Sequence, residues 1–287
     1  MKDFEKELAH ASSIIESCDA FMVGAGAGMG VDSGLPDFRG TDGFWKAYPF
    51  LQKQGIKFED MANPRWFMDD PHLAWGFYGH RFNLYKKTQP HAGFAVINNW
   101  IKEKKADYFI FTSNVDGHFQ KAGFDQDKIC ECHGSLMRFQ CSQNCGQTPW
   151  APPDTQLFKI ETSTLRAINP LPLCPSCKEL ARPNILMFSD WDWDSQTTIH
   201  QEQTFHHWLD RNRKIGIIEI GAGQSIPTVR YTCEAAWANN KHGLIRINPR
   251  ESQVPRGAIA LPMGAAAALK SLDLCIQRTR KLGSPGN

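Results

Sequence analysis

No run of residues in this chain approaches the roughly 18 to 20 consecutive apolar positions that a helix needs to span a bilayer, so the sequence offers no membrane segment. An excess of one charge sign is also missing. The 32 Lys and Arg against 30 Asp and Glu give a formal net charge of +2, which removes the electrostatic argument for a nucleic-acid or membrane surface. There is no internal repeat or low-complexity tract. The first residues, MKDFEKELAHASS, are polar and acidic rather than a leader with an apolar core, and the expectation is a protein made and kept in the cytoplasm. With 41% hydrophobic and 22% charged residues the composition is that of an ordinary globular chain. At roughly 150 residues per domain, the 287 residues predict one large domain accompanied by a smaller one.

What is present is a repeated grammar. Phe4, Leu8, Ala11, Ile14, Ile15 and Cys18 recur at helical spacing, predicting an amphipathic helix over 3–18. It feeds a short apolar run, 20–23, that stops in glycines. Three further runs, 108–111, 215–220 and 244–247, end in Thr112-Ser113-Asn114, Gly221-Ala222-Gly223 and Asn248-Pro249-Arg250. Short continuous apolar strands with long, partly helical connections predict a parallel sheet covered on both faces. In such sheets ligands collect beyond the carboxyl ends of the strands, where these polar loops would lie. Two stretches interrupt the pattern: 40–90, rich in aromatics and Pro, and 138–182, which carries paired cysteines.

Nine cysteines are an odd number, which argues for a reducing compartment rather than a disulfide scaffold. Cys141 and Cys145 form one close pair, Cys174 and Cys177 another, with Gly146, Pro172 and Pro175 supplying turns. Four thiolates in two knuckles match tetrahedral, structural zinc. Buried unpaired cysteines are the bland alternative, and it is the one adopted for Cys18, Cys130, Cys132, Cys233 and Cys275. Cys132 adjoins His133, but neighbours on a strand point to opposite faces and would not share a proton.

The segment from Gly24 to Gly34 supplies glycines where backbone could approach a phosphate. No register contains an intact GxGxxG, which speaks against an ordinary dehydrogenase, and a turn serving only packing is the alternative. Gly26-Ala27-Gly28, followed by Ser33-Gly34-Leu35-Pro36-Asp37-Phe38-Arg39-Gly40, resembles the GAGxSxxSGIPDFRG signature of the sirtuin family. Further landmarks come in that family's order: Thr112 to Gly117 for TQNIDG, His133-Gly134, the two cysteine knuckles, Arg182 to Phe188 for RPxVVxF, Gly221 to Gly223 for GTS, and Asn248. Several motifs in one order are far more specific than any single one.

The resemblance implies an α/β fold, a Rossmann-like doubly wound parallel sheet with a smaller zinc-binding domain inserted. The NAD-binding domain would comprise 1–40, 88–137 and 183–287, and the small domain 41–87 and 138–182. It implies NAD and Zn2+ as cofactors and the acylated lysine side chains of proteins as partners, with no direct nucleic-acid or membrane contact. The activity implied is NAD-dependent protein lysine deacylation. The diphosphate is assigned to Gly26, Ala27 and Gly28, with Asp37, Phe38 and Arg39 near the reacting end, Ser113, Asn114 and Asp116 at nicotinamide and its ribose, and Gly221, Ala222, Gly223, Asn248 and Ala265 toward the adenosine half. His133 would be the general base, assisted by Asn114 and Asp116, and Phe188 would meet substrate. Asp116 as a helix N-cap and Asn114 as a turn residue are the bland alternatives.

Tyr78 and Arg81, at i and i+3, resemble the Tyr-x-x-Arg pair with which some sirtuins grip succinyl, malonyl or glutaryl groups. The alternative is a helix face whose Arg81 is solvated or paired with Asp69 or Asp70. Against the family pattern, Ser113 replaces Gln, Gly30 and Gly223 replace Ser, and Pro227 comes one position early. These departures keep open protein ADP-ribosyl transfer or NAD hydrolysis on the same scaffold, as well as a non-catalytic reader of NAD or acyl-lysine.

Overall fold

The computed structural model describes residues 2–36, 41–240 and 242–283. Ten strands run through them: β1 (Ala20–Ala25), β2 (Asp107–Thr112), β3 (Ile129–Glu131), β4 (Gly134–Cys141), β5 (Ile160–Glu161), β6 (Arg166–Ala167), β7 (Ala181–Ile185), β8 (Ile215–Ile220), β9 (Gly243–Ile247) and β10 (Ile259–Leu261). Six form one sheet in the order β10-β9-β8-β1-β2-β3. Every neighbouring pair in it is parallel. The four expected strands are all present, and the helix expected over 3–18 spans Lys2–Ser17. The edge strands β3 and β10 are additions, too short to carry a readable pattern.

The sheet is covered on both faces, and the period of two along its strands decides which side chain goes where. Phe21, Val23 and Ala25 of β1 join Ile218 and Ile220 of β8 in a cluster with helices Lys2–Ser17, Ala92–Lys104 and Ala265–Gly283. The alternate residues, Ala20 and Met22 of β1 with Ile215 and Ile217 of β8, pack against helices Gln196–Arg211 and Thr228–Asn240. A strand buried on both faces reads as an unbroken apolar run, which is why the alternation is invisible in the sequence itself. The chain passes from β1 to β2 on one side and from β8 to β9 on the other, so a topological switch point lies between β1 and β8, the place where sheets of this kind commonly bind ligands.

A third cluster gathers aromatics from helix Pro71–Lys87 and its neighbours with Phe139, Phe158 and Ala181. Here β4 and β7 pair antiparallel, joining the knuckle at Cys141 to Ala181. One local expectation is corrected: Cys132 and His133 occupy a turn between β3 and β4, not a strand. The Cys132 thiol is nevertheless no nucleophile, because burial, reinforced by Glu202, pushes it up to about 12.

Candidate active site

Two loops meet at the switch point. Gly28 N–H donates to Gly221 O at 3.1 Å, and Gly26 N–H to Ile220 O at 2.9 Å. A Cβ at Gly26 would lie 2.7 Å from Ala222 Cα, one at Gly28 2.6 Å from Gly221 Cα, and one at Gly221, where φ is +62°, 2.4 Å from Gly28 Cα. The glycines are therefore required by the interlock of the two loops, the packing role that the sequence left as the alternative.

Thr112, the last residue of β2, is the hub of the neighbouring strand ends. Its hydroxyl donates to Ala25 O at 2.9 Å and accepts the Asn114 amide at 3.0 Å. Its carbonyl accepts Cys132 N–H at 2.9 Å, and Ser113 N–H donates to Ala25 O at 3.1 Å. Asn114 Nδ2 in turn donates to Gly26 O at 3.0 Å. The segments carrying Asn114 and His133 thus hang from one threonine, next to the first glycine loop. Half-buried His133 is also held from its C-terminal side by Gly134, which has φ +75° and where a Cβ would lie 2.2 Å from Asn184 O. Burial holds the His133 imidazole below its ordinary value, which favours the neutral ring, the form able to accept a proton.

Asp116 is 9% exposed. Burial pushes its carboxyl up to about 6, against the opposing pull of the His118 amide and Arg81. Its Oδ1 accepts His118 N–H at 2.9 Å, closing a turn ahead of helix His118–Lys121; the N-cap of that helix is Gly117, not Asp116. Its Oδ2 lies 3.5 Å from where a Cβ at Gly30 would stand. The Gly30 departure therefore removes a side chain from the immediate surroundings of this carboxylate.

On the other side, Asn248 Nδ2 donates to Ala222 O at 2.8 Å while its Oδ1 accepts the amides of Arg250 and Glu251. Arg230 Nε reaches the same Ala222 oxygen at 3.2 Å. Beneath lies a buried ion pair, Arg246 with Glu219, at 2.7 and 2.8 Å. Sequence reasoning missed Thr112, Arg230, Glu219 and Arg246. A signal existed for the last two, since a charge inside each apolar run, at positions that pair in register, has to find its opposite. Ala265 points its 3%-exposed side chain into the core at the start of the last helix, so only its backbone is available to a ligand. Asp37, Phe38 and Arg39 lie outside the described residues.

Tyr78 and Arg81 share a buried aromatic nest. Arg81 Nε and Nη2 donate to Tyr85 Oη at 3.0 and 2.8 Å, and its guanidinium lies over the Phe77 and Tyr85 rings at 5.4 Å. It is not solvated, and Asp70 is taken by Arg166 at 2.7 Å, so the alternative drawn from the sequence does not hold in those respects. The Tyr78 hydroxyl is buried and has no hydrogen-bond partner among the described residues. Phe188, half exposed, donates its N–H to Ala62 O at 2.9 Å and meets Phe58 edge-on.

The four knuckle cysteines converge. Cys141 and Cys177 Sγ are 3.5 Å apart, Cys145 and Cys174 Sγ 3.6 Å, and all four sulfurs lie within 4.8 Å of one another. A Zn–S bond of about 2.3 Å in a tetrahedron sets sulfurs about 3.8 Å apart, so the donor set fits zinc. Left-handed backbone at Asn144, Gly146 and Lys178 turns the chain around each knuckle, and Gln143 N–H donates to Cys141 Sγ at 3.3 Å. Four thiolates would fill a tetrahedral ion's positions, the pattern of a structural rather than a catalytic zinc site.

The model of the Sir2 family matches residues 26–209. A Leptospira interrogans protein named NAD-dependent protein deacylase is 28% identical over 229 residues, 79% of this chain and 80% of its own. An Aquifex aeolicus protein of the same name is 28% identical over 232 residues, 80% and 84% of the two chains. Among solved structures, a mutant Sir2 homologue in complex with ADP-ribose superposes with a TM-score of 0.70 at 22% identity, covering 96% of this chain and 98% of its own. A Sir2 homolog–NAD complex gives 0.68 at 24% identity, with 95% and 94% covered. The structural likeness establishes the fold.

Proposed function

This chain belongs to the Sir2 family, and from that premise we propose that it removes acyl groups from protein lysines with consumption of NAD, releasing nicotinamide and O-acyl-ADP-ribose. The observation that carries the site assignment is the suspension of Asn114 and His133 from Thr112 beside the interlocked glycine loops. In this reading NAD lies as substrate along Gly26, Ala27 and Gly28 toward Gly221, Ala222, Gly223, Asn248 and the backbone at Ala265, with Ser113, Asp37, Phe38 and Arg39 nearer the reacting end. Asn114 and Asp116 hold nicotinamide and its ribose. The acyl oxygen of the lysine then displaces nicotinamide at the ribose carbon. Neutral His133 takes the proton of a ribose hydroxyl, whose oxygen attacks the acyl carbon, and water completes release of lysine. The Cys141, Cys145, Cys174 and Cys177 set holds Zn2+ as a brace.

The chain divides in this reading into a large unit (1–40, 88–137, 183–287) and a small one (41–87, 138–182). Support comes from the two clusters that flank the sheet, which draw no residue from the small unit's segments. No described helix is long and apolar enough to cross a membrane; the convergence of four cysteines as a candidate metal set rather than a disulfide scaffold favours a reducing, cytoplasmic setting.

Relatives named deacylases favour acyl transfer over ADP-ribosylation of protein or plain NAD hydrolysis. The buried Tyr78 hydroxyl, which has no hydrogen-bond partner among the described residues and lies beside the Arg81 guanidinium, favours an acidic acyl group, whose carboxylate would accept from that hydroxyl. The deciding experiment is mass spectrometry of products from NAD with acetyl-, succinyl- and glutaryl-lysine peptides. O-acyl-ADP-ribose is expected, reduced about 100-fold or more by His133→Ala. Nicotinamide release with no loss of acyl group from any peptide would replace the deacylase by the rival. Arg81→Met should impair succinyl and glutaryl peptides selectively, and an equal loss on acetyl-lysine defeats the acidic-acyl assignment.

A further inference from the structure

Past β7 the chain runs beside the proposed base and then turns outward. Leu186 N–H donates to His133 O at 3.0 Å and Phe188 N–H to Ala62 O at 2.9 Å. Ser189 then adopts φ +56° and the chain continues as Asp190-Trp191-Asp192-Trp193-Asp194. The Asp190 side chain is fully buried in a bidentate pair with Arg182, at 2.8 and 2.9 Å. It also accepts the amides of Met187 and Asp192. From below, Gln140 Nε2 donates to Asp192 O at 2.8 Å, and Asn184 Nδ2 to Asp194 O at 2.8 Å. The backbone of this loop is therefore tied down at several points.

Yet the loop holds Trp191 94% exposed. An indole kept in water on an anchored backbone is the arrangement of an interaction hot spot, because little order remains to be lost when a partner arrives. Beside it opens a groove of about 330 Å³ bordered by Gln140, Asn144, Trp191, Asp192, Trp193 and Asp194. Its charged walls are two carboxylates, and no lysine or arginine among the described residues lines it. Asp192 Oδ1 accepts Asn144 Nδ2 at 3.2 Å and Asp194 Oδ1 accepts Gln196 N–H at 3.1 Å, so each is oriented by a neutral donor. Neither enters an ion pair among the described residues. The four cysteines are the metal-ligand group among the described residues, and these aspartates do not join one.

We propose that this groove binds a lysine or arginine side chain of the protein substrate, flanking the acyl-lysine, and so sets sequence preference; the inference rests on the deacylase reading above. A basic side chain lays its methylenes against the indoles and presents its cation to the two carboxylates. An acidic residue there meets like charge, and a small neutral one leaves the tryptophans wet. The distance also suits a flanking residue. Trp191 comes three positions after Phe188, so at most about 3.5 Å per residue places their Cα atoms within about 10 Å. An extended peptide covers that in about three residues.

The test is a set of acyl-lysine peptides, alanine-flanked, in which arginine or glutamate is walked through the four positions on each side. Steady-state kinetics should give a KM ratio of Glu to Arg of about 5 to 10 at one position within three or four residues of the acyl-lysine. That ratio should fall toward one in Trp191→Ala and, independently, in Asp192→Asn combined with Asp194→Asn, whose isosteric amides keep the loop's accepted hydrogen bonds. A ratio below two at every position in the wild type, or one that survives in both variants, overturns the proposal. Absence of turnover on every peptide would instead overturn the deacylase reading. The same Arg-against-Glu ratio, measured as peptide affinity by fluorescence anisotropy without NAD, then decides the groove by the same criterion.

Discussion

Ile217 and Ile218, neighbours in the middle of β8, are both fully buried on opposite faces of the sheet, whereas in the cysteine module Leu157, Ile168 and Leu173 stand 59%, 64% and 56% exposed. The sheet sinks apolar side chains into two clusters that sandwich it, and its order follows from the hydrophobic effect along every strand. The module's buried apolar residues, such as Phe139, Phe158 and Leu165, pack against helix Pro71–Lys87 rather than between two faces of a sheet. The module's backbone is shaped by two knuckles with left-handed residues and by a sulfur cluster with zinc geometry, so its order would depend on metal–thiolate coordination at one point. One chain thus uses two unrelated sources of order, and loss of either should be felt locally first.

The largest expected effect breaks that contrast if it fails. Removing zinc with a chelator, or introducing Cys174→Ala, forgoes an apparent binding free energy of about 10 kcal/mol or more. Hydrogen exchange should then show amides at 141–146 and 174–181 losing protection while 215–220 keep theirs; simultaneous loss in both would mean the regions are one unit. Gly221→Ala comes next and strikes the sheet side. It combines left-handed backbone with a Cβ 2.4 Å from Gly28 Cα, and about 2–5 kcal/mol of stability should go. The melting temperature should fall, the zinc content should not, and an unchanged melting temperature would show the interlock to be loose.

The third prediction sharpens the contrast by locating the cost of function on the sheet side. Asp116 has a folded pKa raised by burial to about 6 from 3.8. Below about pH 4 both folded and unfolded forms are protonated and nothing is lost. As pH rises through 6 the unfolded chain ionises more readily than the folded one, and stability declines by roughly 3 kcal/mol. Asp116→Asn should therefore raise the melting temperature at pH 8 and leave it nearly unchanged at pH 4, while activity falls. An equal effect at both pH values would remove the buried-charge explanation.

Much of this molecule was legible from residues alone, but unevenly. The knuckle cysteines come as two close pairs and their chemistry is peculiar to cysteine, so Cys141, Cys145, Cys174 and Cys177 could be read as a candidate zinc set before any fold was known. Asn114 and His133 could be singled out by motif, yet their common suspension from Thr112 could not, because it depends on β2 lying between β1 and β3. Arg230 offered no signal at all: an arginine in a helix is ordinary until Ala222 O is found at 3.2 Å. For Gly26, Gly28 and Gly221 the residue type was informative and the reason was not, since a tight loop and a loop against another loop look alike in one dimension.

The residue order by itself determined the four central strands of the sheet, the helix at 2–17 and the candidate metal ligands, because each depends on neighbours a few positions apart, and local periodicity and local chelation need nothing more. Tertiary structure alone decided which loops interlock, which carboxylate is buried enough to titrate near pH 6, and that Trp191 is held in water at a groove it shares with two aspartates. Those properties belong to contacts between segments distant along the chain, and they exist only once the sheet order has brought the segments together.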